Sequence, residues 1–196
     1  ILTWKKEFNY SAINNFAVRE AQGEYLLFLN NDVEIITESW LEEMLQLCQQ
    51  KDVGMAGAKL YYPDDTIQHA GVVVGLGGVA AHVLCKLPRD AEGYMGRLRC
   101  VQEISAVTAA CMMVKTSVFK AVGGFDEELK VAFNDIDLCM KVRKYGVKIV
   151  FTPYAELYHY ESKSRGMEDT PEKQLRFSRE VNCFRRKWER ELLKGD

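Results

Sequence analysis

The chain has 196 residues, 47% of them hydrophobic and 28% charged, with a formal net charge of -2. That length supports one domain with a sizeable core, and the near-neutral balance excludes nucleic acid or an acidic membrane as the main partner, since both select strongly basic surfaces. The six cysteines, at 48, 85, 100, 111, 139 and 183, include no C-x-x-C pair, which excludes zinc-ligand spacing and predicts reduced, largely buried thiols in a cytosolic protein.

No apolar run reaches the roughly 18 residues that a membrane span needs, and no signal peptide is visible. From Lys163 onward ten Lys/Arg face seven Asp/Glu, so the tail is near +3 and the rest near -5. The tail reads as a solvated helix of mixed charge.

In chain order, apolar residues at Ala12, Ile13, Phe16, Ala17 and Ala21 predict a helix over 11–22 that stops at Gly23. Tyr25 to Leu29 is a continuous apolar run and predicts a strand covered on both faces, as in parallel sheets. It breaks at Asn30-Asn31-Asp32. Thr37 is the expected N-cap of a helix whose stripe is Trp40, Leu41, Met44, Leu45 and Cys48. A strand, polar turn and helix in this order is where α/β proteins place ligands.

Val53 to Leu60, Gly71 to Val79 and Ile104 to Val114 favour extended structure, separated by Gly-rich stretches and the polar loop 86–99. A short helix starts at Thr116, and another runs from Asn134 to Tyr145 with Gly146 as C-cap. Val147 to Phe151 predicts a strand closed by Pro153, and Ala155 to Tyr160 a second extended segment. Thr170-Pro171 opens a last helix over 171–194, with Val181, Phe184, Trp188 and Leu192 on its apolar face. No repeat or linker interrupts the chain, so 1–196 is read as a single α/β domain.

Three places could carry chemistry. Asp32, just past a strand end, can hold a hard divalent cation by oxygen; the plainer reading is that it shapes a turn. In Asn134-Asp135-Ile136-Asp137, Asn134 can cap the helix with Asp137 completing a capping box. Asp135 is then left over at a helix N-terminus, where negative charge is favoured. It can serve as a general base or simply complement the dipole from the surface, and both readings stand. His159, among aromatics, is either a packing residue or a further metal ligand. His69 and His82 read as structural or loop histidines, and Gly123-Gly124 as a turn that could also admit a ligand.

Taken in order, FNYSAINN, GEYLLFLNNDVE, VGMAGAKLYYPDDTIQHAG, SAVTAACMMVK, VGGFDEEL, AFNDIDLCMKVRKYG and FTPYAELYHYESKSRG resemble family 2 glycosyltransferases, above all bacterial members that build rhamnose-containing and other surface polysaccharides. The resemblance implies a GT-A fold, a Rossmann-like mixed sheet flanked by helices. It also implies a nucleotide-diphospho-sugar donor, a glycan or lipid-linked acceptor, and a divalent metal (Mg2+ or Mn2+). By the same resemblance Asn30-Asn31-Asp32 stands at the D-x-D position, with Asp32 the principal metal carboxylate and His159 its partner. Asn134-Asp135 stands at the E-D pair, which gives Asp135 the role of catalytic base. Gly123, Gly124, Phe125, Asp126 and Asn134 stand at the sugar and acceptor pocket, and Asn14, Asn15, Asn30 and Asn31 near the donor.

Family members begin with a strand–helix–strand unit that reads the base and ribose, and this chain is expected to begin after it. The implied reaction is inverting transfer in the cytoplasm, at or near the inner face of the cell membrane. Peripheral membrane association and a homodimer are left open. Two other classes stay in view: a non-catalytic carbohydrate-binding or assembly module of the same fold, and a sugar-nucleotide nucleotidyltransferase.

Overall fold

A computed structural model describes residues 1–161 and 170–195; the end of the seventh matching segment, 162–166, lies outside the described residues. The elements are α1 (Tyr10–Glu20), β1 (Tyr25–Leu29), β2 (Val33–Ile35), α2 (Trp40–Gln49), β3 (Val53–Tyr61), β4 (Ile67–His69), β5 (Val72–Val74), β6 (Ala80–His82), β7 (Gln102–Glu103), β8 (Cys111–Lys115), α3 (Thr116–Ala121), α4 (Asn134–Tyr145), β9 (Lys148–His159) and α5 (Pro171–Lys194). The main sheet runs β1-β8-β3-β9-β2, with β4 on β3 and β7 on β9; β5 and β6 form a separate pair. β3 and β9 are parallel, while β1–β8, β8–β3 and β9–β2 are antiparallel, so the sheet is mixed.

Its two faces are packed by different helices. On one, Met44, Cys48 and Trp40 of α2 lie against Ala56, Ala58 and Leu60 of β3. On the other, Phe119, Leu138, Phe184 and Trp188 from α3, α4 and α5 join Met55, Met112 and Val114. Met44 and Phe184 are fully buried, each worth about 1.5–3 kcal/mol by area.

Local signals set several ends as expected. Thr170 accepts the Lys173 N–H with Pro171 at the first helical position, and Gly146 ends α4 at φ 95°. Other expectations are corrected. Leu27 and Leu29 are 36% and 41% exposed: β1 is an edge strand paired to β8 alone, so a run of apolar residues here does not mean cover on both faces. Residues 71–79 are not one strand, because Gly75 and Gly77 take positive φ and turn the chain after β5. Nor is 104–114, since the ladder resumes only at Cys111. Ser39, not Thr37, precedes α2; Thr37 Oγ1 instead accepts the Glu156 N–H at 3.3 Å. Cys100 is exposed, and all six thiols are free.

Pro153 does not close a strand. β9 runs straight through it, with Gly57 opposite Phe151 and Lys59 opposite Glu156, so 152–155 bulge out of the ladder. A bulge tolerates proline because its missing N–H costs no ladder bond. Beyond the bulge, β9 pairs with β3 on one side and β2 on the other, which delivers His159 to the end of the sheet. Among the described residues no helix is long and apolar enough to cross a membrane.

Candidate active site

The turn after β1 is pinned by the Asn30 N–H, which donates to the Ala110 carbonyl at 3.0 Å, and by the Asp32 carbonyl, which accepts the Tyr160 N–H at 2.8 Å. Val33 stands opposite His159 in the β2–β9 ladder. Together these bring Asp32 Oδ1 to 3.3 Å from His159 Nε2, with the side chains 12% and 11% exposed. Gln68 of β4 fixes the ring. His159 Nδ1 donates to Gln68 Oε1 at 2.7 Å, and Gln68 Nε2 donates to the His159 carbonyl at 3.3 Å. An amide oxygen only accepts, so Nε2 carries the lone pair, and Asn30 Nδ2 donates to it at 3.1 Å. Burial lowers the His159 pKa against the upward pull of Asp32 and Glu161, in keeping with a neutral ring.

Asp32 Oδ1 is buried with no hydrogen-bond donor. A carboxylate oxygen beside an imidazole lone pair sets two acceptors against each other, a mismatch that a proton or a metal ion between them removes. One hard oxygen and one imidazole suit Mg2+ or Mn2+, so these residues fit such an ion. Among the described residues no group of three or more His, Cys, Asp or Glu side chains forms a cage. Magnesium is usually held by few protein ligands and completes its shell with water or phosphate oxygens.

Asp135 lies in the first turn of α4. Its Oδ1 accepts the Ile136 N–H at 2.8 Å and its Oδ2 the Ala109 N–H at 3.2 Å. Ala109 adjoins Ala110, whose carbonyl accepts the Asn30 N–H, so Asp135 and the turn that carries Asp32 are anchored on neighbouring residues. His82 senses both sides: after burial, which lowers its pKa, its largest influences are Asp135, Glu161 and His159. Tyr10 completes the wall, donating its hydroxyl to the Ala109 carbonyl at 3.3 Å; burial, then Asp135, raises its pKa. The structure thus places Asn30, Asp32 and His159 together and links Asp135 to Asn30 through the neighbouring Ala109 and Ala110. It adds Tyr10, Gln68 and His82, which sequence reasoning missed. A helical tyrosine, a glutamine and a histidine at the end of a short strand carry no local signal of such a role.

The other sequence candidates are placed differently. Asn31 is exposed. Asn14 donates to the Tyr10 carbonyl at 2.8 Å and so stands beside Tyr10. Asn15 is spent on the 123–127 loop, accepting the Phe125 N–H and donating to the Phe125 carbonyl, both at 2.9 Å. Gly124, at φ 64°, packs so closely that an added Cβ would lie 2.7 Å from Asn15 Oδ1. Phe125 is 3% exposed and packs edge-on against Phe28, Phe119 and Tyr10, so its ring belongs to the core. Asp126 pairs with Lys187. The expected Asn134 cap is absent. Phe133, at φ 61°, precedes α4, and Asn134 is inside the helix, buried, donating to the Val131 carbonyl at 3.0 Å. No capping box forms, because Asp137 points inward to Lys141, Lys187 and Trp188.

His69 is fully buried and shares a 3.0 Å Nδ1–Nδ1 contact with His82. Burial, then the nearby His82 and His159, pushes its pKa well below 6.5. The folded value lies under the unfolded one, so its contribution to stability is full above pH 6.5 and is lost as pH falls toward the folded value, because the unfolded chain takes up the proton first. Thermal melts should show stability dropping below pH 6.5, with a shallower drop in His69→Gln. A slope unchanged by that substitution would contradict the assignment.

A mixed sheet covered by helices on both faces, with a carboxylate corner at its strand ends, defines an α/β domain built to handle a ligand. Residues 1–180 match the model of a family described as a glycosyltransferase-like family, and the chain belongs to that family. It is 57% identical over 189 residues to uncharacterized protein y4gI of Sinorhizobium fredii, covering 96% of this chain and 21% of that protein. It is 42% identical over 172 residues to O-antigen biosynthesis protein RfbC of Myxococcus xanthus, covering 87% and 14%. The chain therefore spans about a fifth or less of the length of these curated relatives. Among solved structures it is similar to GalNAc-T7 with UDP, GalNAc and Mn2+, with a TM-score of 0.63 and 12% identity over 85% of this chain and 33% of that one. The fold is GT-A, as the sequence resemblance implied.

Proposed function

We propose that this domain carries out inverting transfer of a sugar from a nucleotide-diphospho-sugar to a hydroxyl of a glycan or lipid-linked acceptor. The observation that supports the reading is an unsatisfied Asp32 oxygen facing His159, with Asp135 held by the Ala109 N–H next to the Ala110 carbonyl that binds Asn30. The acceptor class follows from the relationship to a protein named for O-antigen biosynthesis, a surface polysaccharide.

Asp32 and His159 would hold the divalent ion, which when bound offsets the negative charge of the donor diphosphate. Gln68 keeps the imidazole in the tautomer with its lone pair at Nε2, and Asn30 Nδ2, which donates to that lone pair, would yield it to the ion. Asp135 is fixed by two backbone N–H groups and keeps a free lone pair on each oxygen. It takes the acceptor hydroxyl proton as that oxygen bonds to the anomeric carbon. The bond from that carbon to the diphosphate oxygen breaks on the opposite face, and the nucleoside diphosphate departs with the electron pair. Attack opposite the leaving group inverts the centre. Asn15 contributes indirectly, by fixing the 123–127 loop behind Tyr10.

Binding of Mn2+ tests the corner directly. At a hundredfold excess over its dissociation constant the ion should stabilise the fold by about 2.7 kcal/mol, read as a raised melting temperature. Asp32→Asn should lose that increment, and nucleoside-diphosphate binding should lose its dependence on Mn2+. A full Mn2+ shift in Asp32→Asn would place the ion elsewhere and overturn this ligand set. Release of nucleoside diphosphate on transfer supports a glycosyltransferase; release of pyrophosphate points to a nucleotidyltransferase. Binding of free glycans without nucleotide-sugars points to a carbohydrate-binding module.

A further inference from the structure

Lys59, within β3, is 5% exposed. Its ammonium has no hydrogen-bond or ion-pair partner among the described residues; its recorded contact is with the Tyr61 ring, 5.3 Å from Nζ to centroid. Glu156 stands opposite Lys59 across the β3–β9 ladder but is engaged elsewhere. Its Oε1 accepts the Tyr61 hydroxyl, and its Oε2 lies 3.7 Å from Arg89 Nη2. Burial lowers the Lys59 pKa while Glu156 opposes it, as expected of a desolvated cation that lacks a close anion.

Lys59 lines a cavity of about 610 Å3 with Tyr61, Arg89, Arg99, Glu156 and a rim of aspartates that includes Asp90. That volume suits a small ligand. Side chains alternate along a strand, so Glu156 and Tyr158 face this cavity side while Leu157 and His159 face the other. The cavity and the Asp32–His159 corner lie back to back across β9.

We infer that this cavity is a second binding site, for a saccharide residue carrying one carboxylate, such as a uronic acid. Lys59 supplies the cation, at the cavity wall. Arg89, stacked 4.9 Å over the Tyr61 ring, is held by Asp65, Glu156 and the Tyr158 hydroxyl, and its planar fork reaches a ligand carboxylate by exchanging those partners. The three cations of the lining are countered by four acids, Asp64, Asp65, Asp90 and Glu156, a balance that disfavours phosphates and polyanions. The rim carboxylates are acceptors for sugar hydroxyls. The anion follows from Lys59 alone; that a sugar carries it rests on the proposed glycosyl transfer.

Calorimetric titration of the chain with glucuronate, glucose, acetate and inorganic phosphate tests the site. Glucuronate should bind, glucose and acetate more weakly, and phosphate least. Lys59→Met should weaken glucuronate at least about tenfold, the equivalent of one charge-assisted hydrogen bond, and Arg89→Gln should do so as a second, gentler variant; circular dichroism checks the fold of both. Asp32→Asn should leave binding unchanged. No glucuronate binding, tighter phosphate binding, or loss of binding in Asp32→Asn would overturn the site. Acetate binding as tight as glucuronate would overturn its saccharide half. A chain that binds glucuronate but no nucleotide-sugar would overturn the transferase reading and leave this site standing.

Discussion

Under the proposed mechanism, replacing Asp135 with Asn should lower sugar transfer by about 10²–10⁴-fold, the range for losing a positioned general base, while nucleotide-sugar binding should stay at the wild-type level. The substitution is isosteric, but it removes the basic oxygen pair. Both carboxylate oxygens accept a backbone N–H, from Ile136 at 2.8 Å and Ala109 at 3.2 Å. An amide has one acceptor oxygen, so its NH2 must face one of those N–H groups. That clash costs roughly one hydrogen bond, about 0.5–1.5 kcal/mol, which a thermal melt separates from the catalytic loss. The pH–rate profile separates them further: the limb that reports the base should vanish in the variant, whereas a merely positional role would scale the profile and keep its shape. Normal turnover by Asp135→Asn would end the assignment.

What could be read from the sequence divides by the range of the interactions involved. Gly146 after α4 and Thr170-Pro171 before α5 are local backbone chemistry, and the structure carries both. The capping box at Asn134 is also a local pattern, yet it fails, because Asp137 has stronger partners far along the chain: Trp188 Nε1 at 2.8 Å and Lys187 at 2.8 Å. Nothing near residue 137 announces a helix some 50 residues later. The bulge at Pro153 is invisible for the same reason, since it exists only relative to β3. For Asp32 and Asp135 the residue pattern left two readings open. The ordered run of family-like segments supplied a preference, and the anchoring of Asn30 and Asp135 on the adjacent Ala110 and Ala109 is a tertiary fact. Gln68 and His82 had no chance of being found, because their importance comes entirely from what β4 and β6 place them beside.

Glu180→Ala should destabilise the domain by about 3 kcal/mol, more than an ordinary point substitution, because one side chain is the partner of three backbone donors. Glu180, on α5, is 3% exposed. Its Oε1 accepts the Lys130 and Val131 N–H groups at 3.0 and 3.2 Å, and its Oε2 accepts that of Ala132 at 2.8 Å. Successive N–H groups converging on one carboxylate form an anion nest, and truncation strands all three. Denaturant midpoints should fall in the order wild type, Glu180→Gln, Glu180→Ala at constant slope, since Gln keeps one acceptor oxygen. Leu193→Ser, at an 83% exposed site, should change little. The consequence reaches the active site: the held segment runs directly into Phe133, at φ 61°, and then into Asp135. A loosened 130–132 segment should therefore slow transfer even at temperatures where Glu180→Ala is fully folded, with donor affinity unaffected. A stability within about 0.5 kcal/mol of wild type, the usual scatter for surface changes, would mean that α5 does not clamp the segment leading to Asp135.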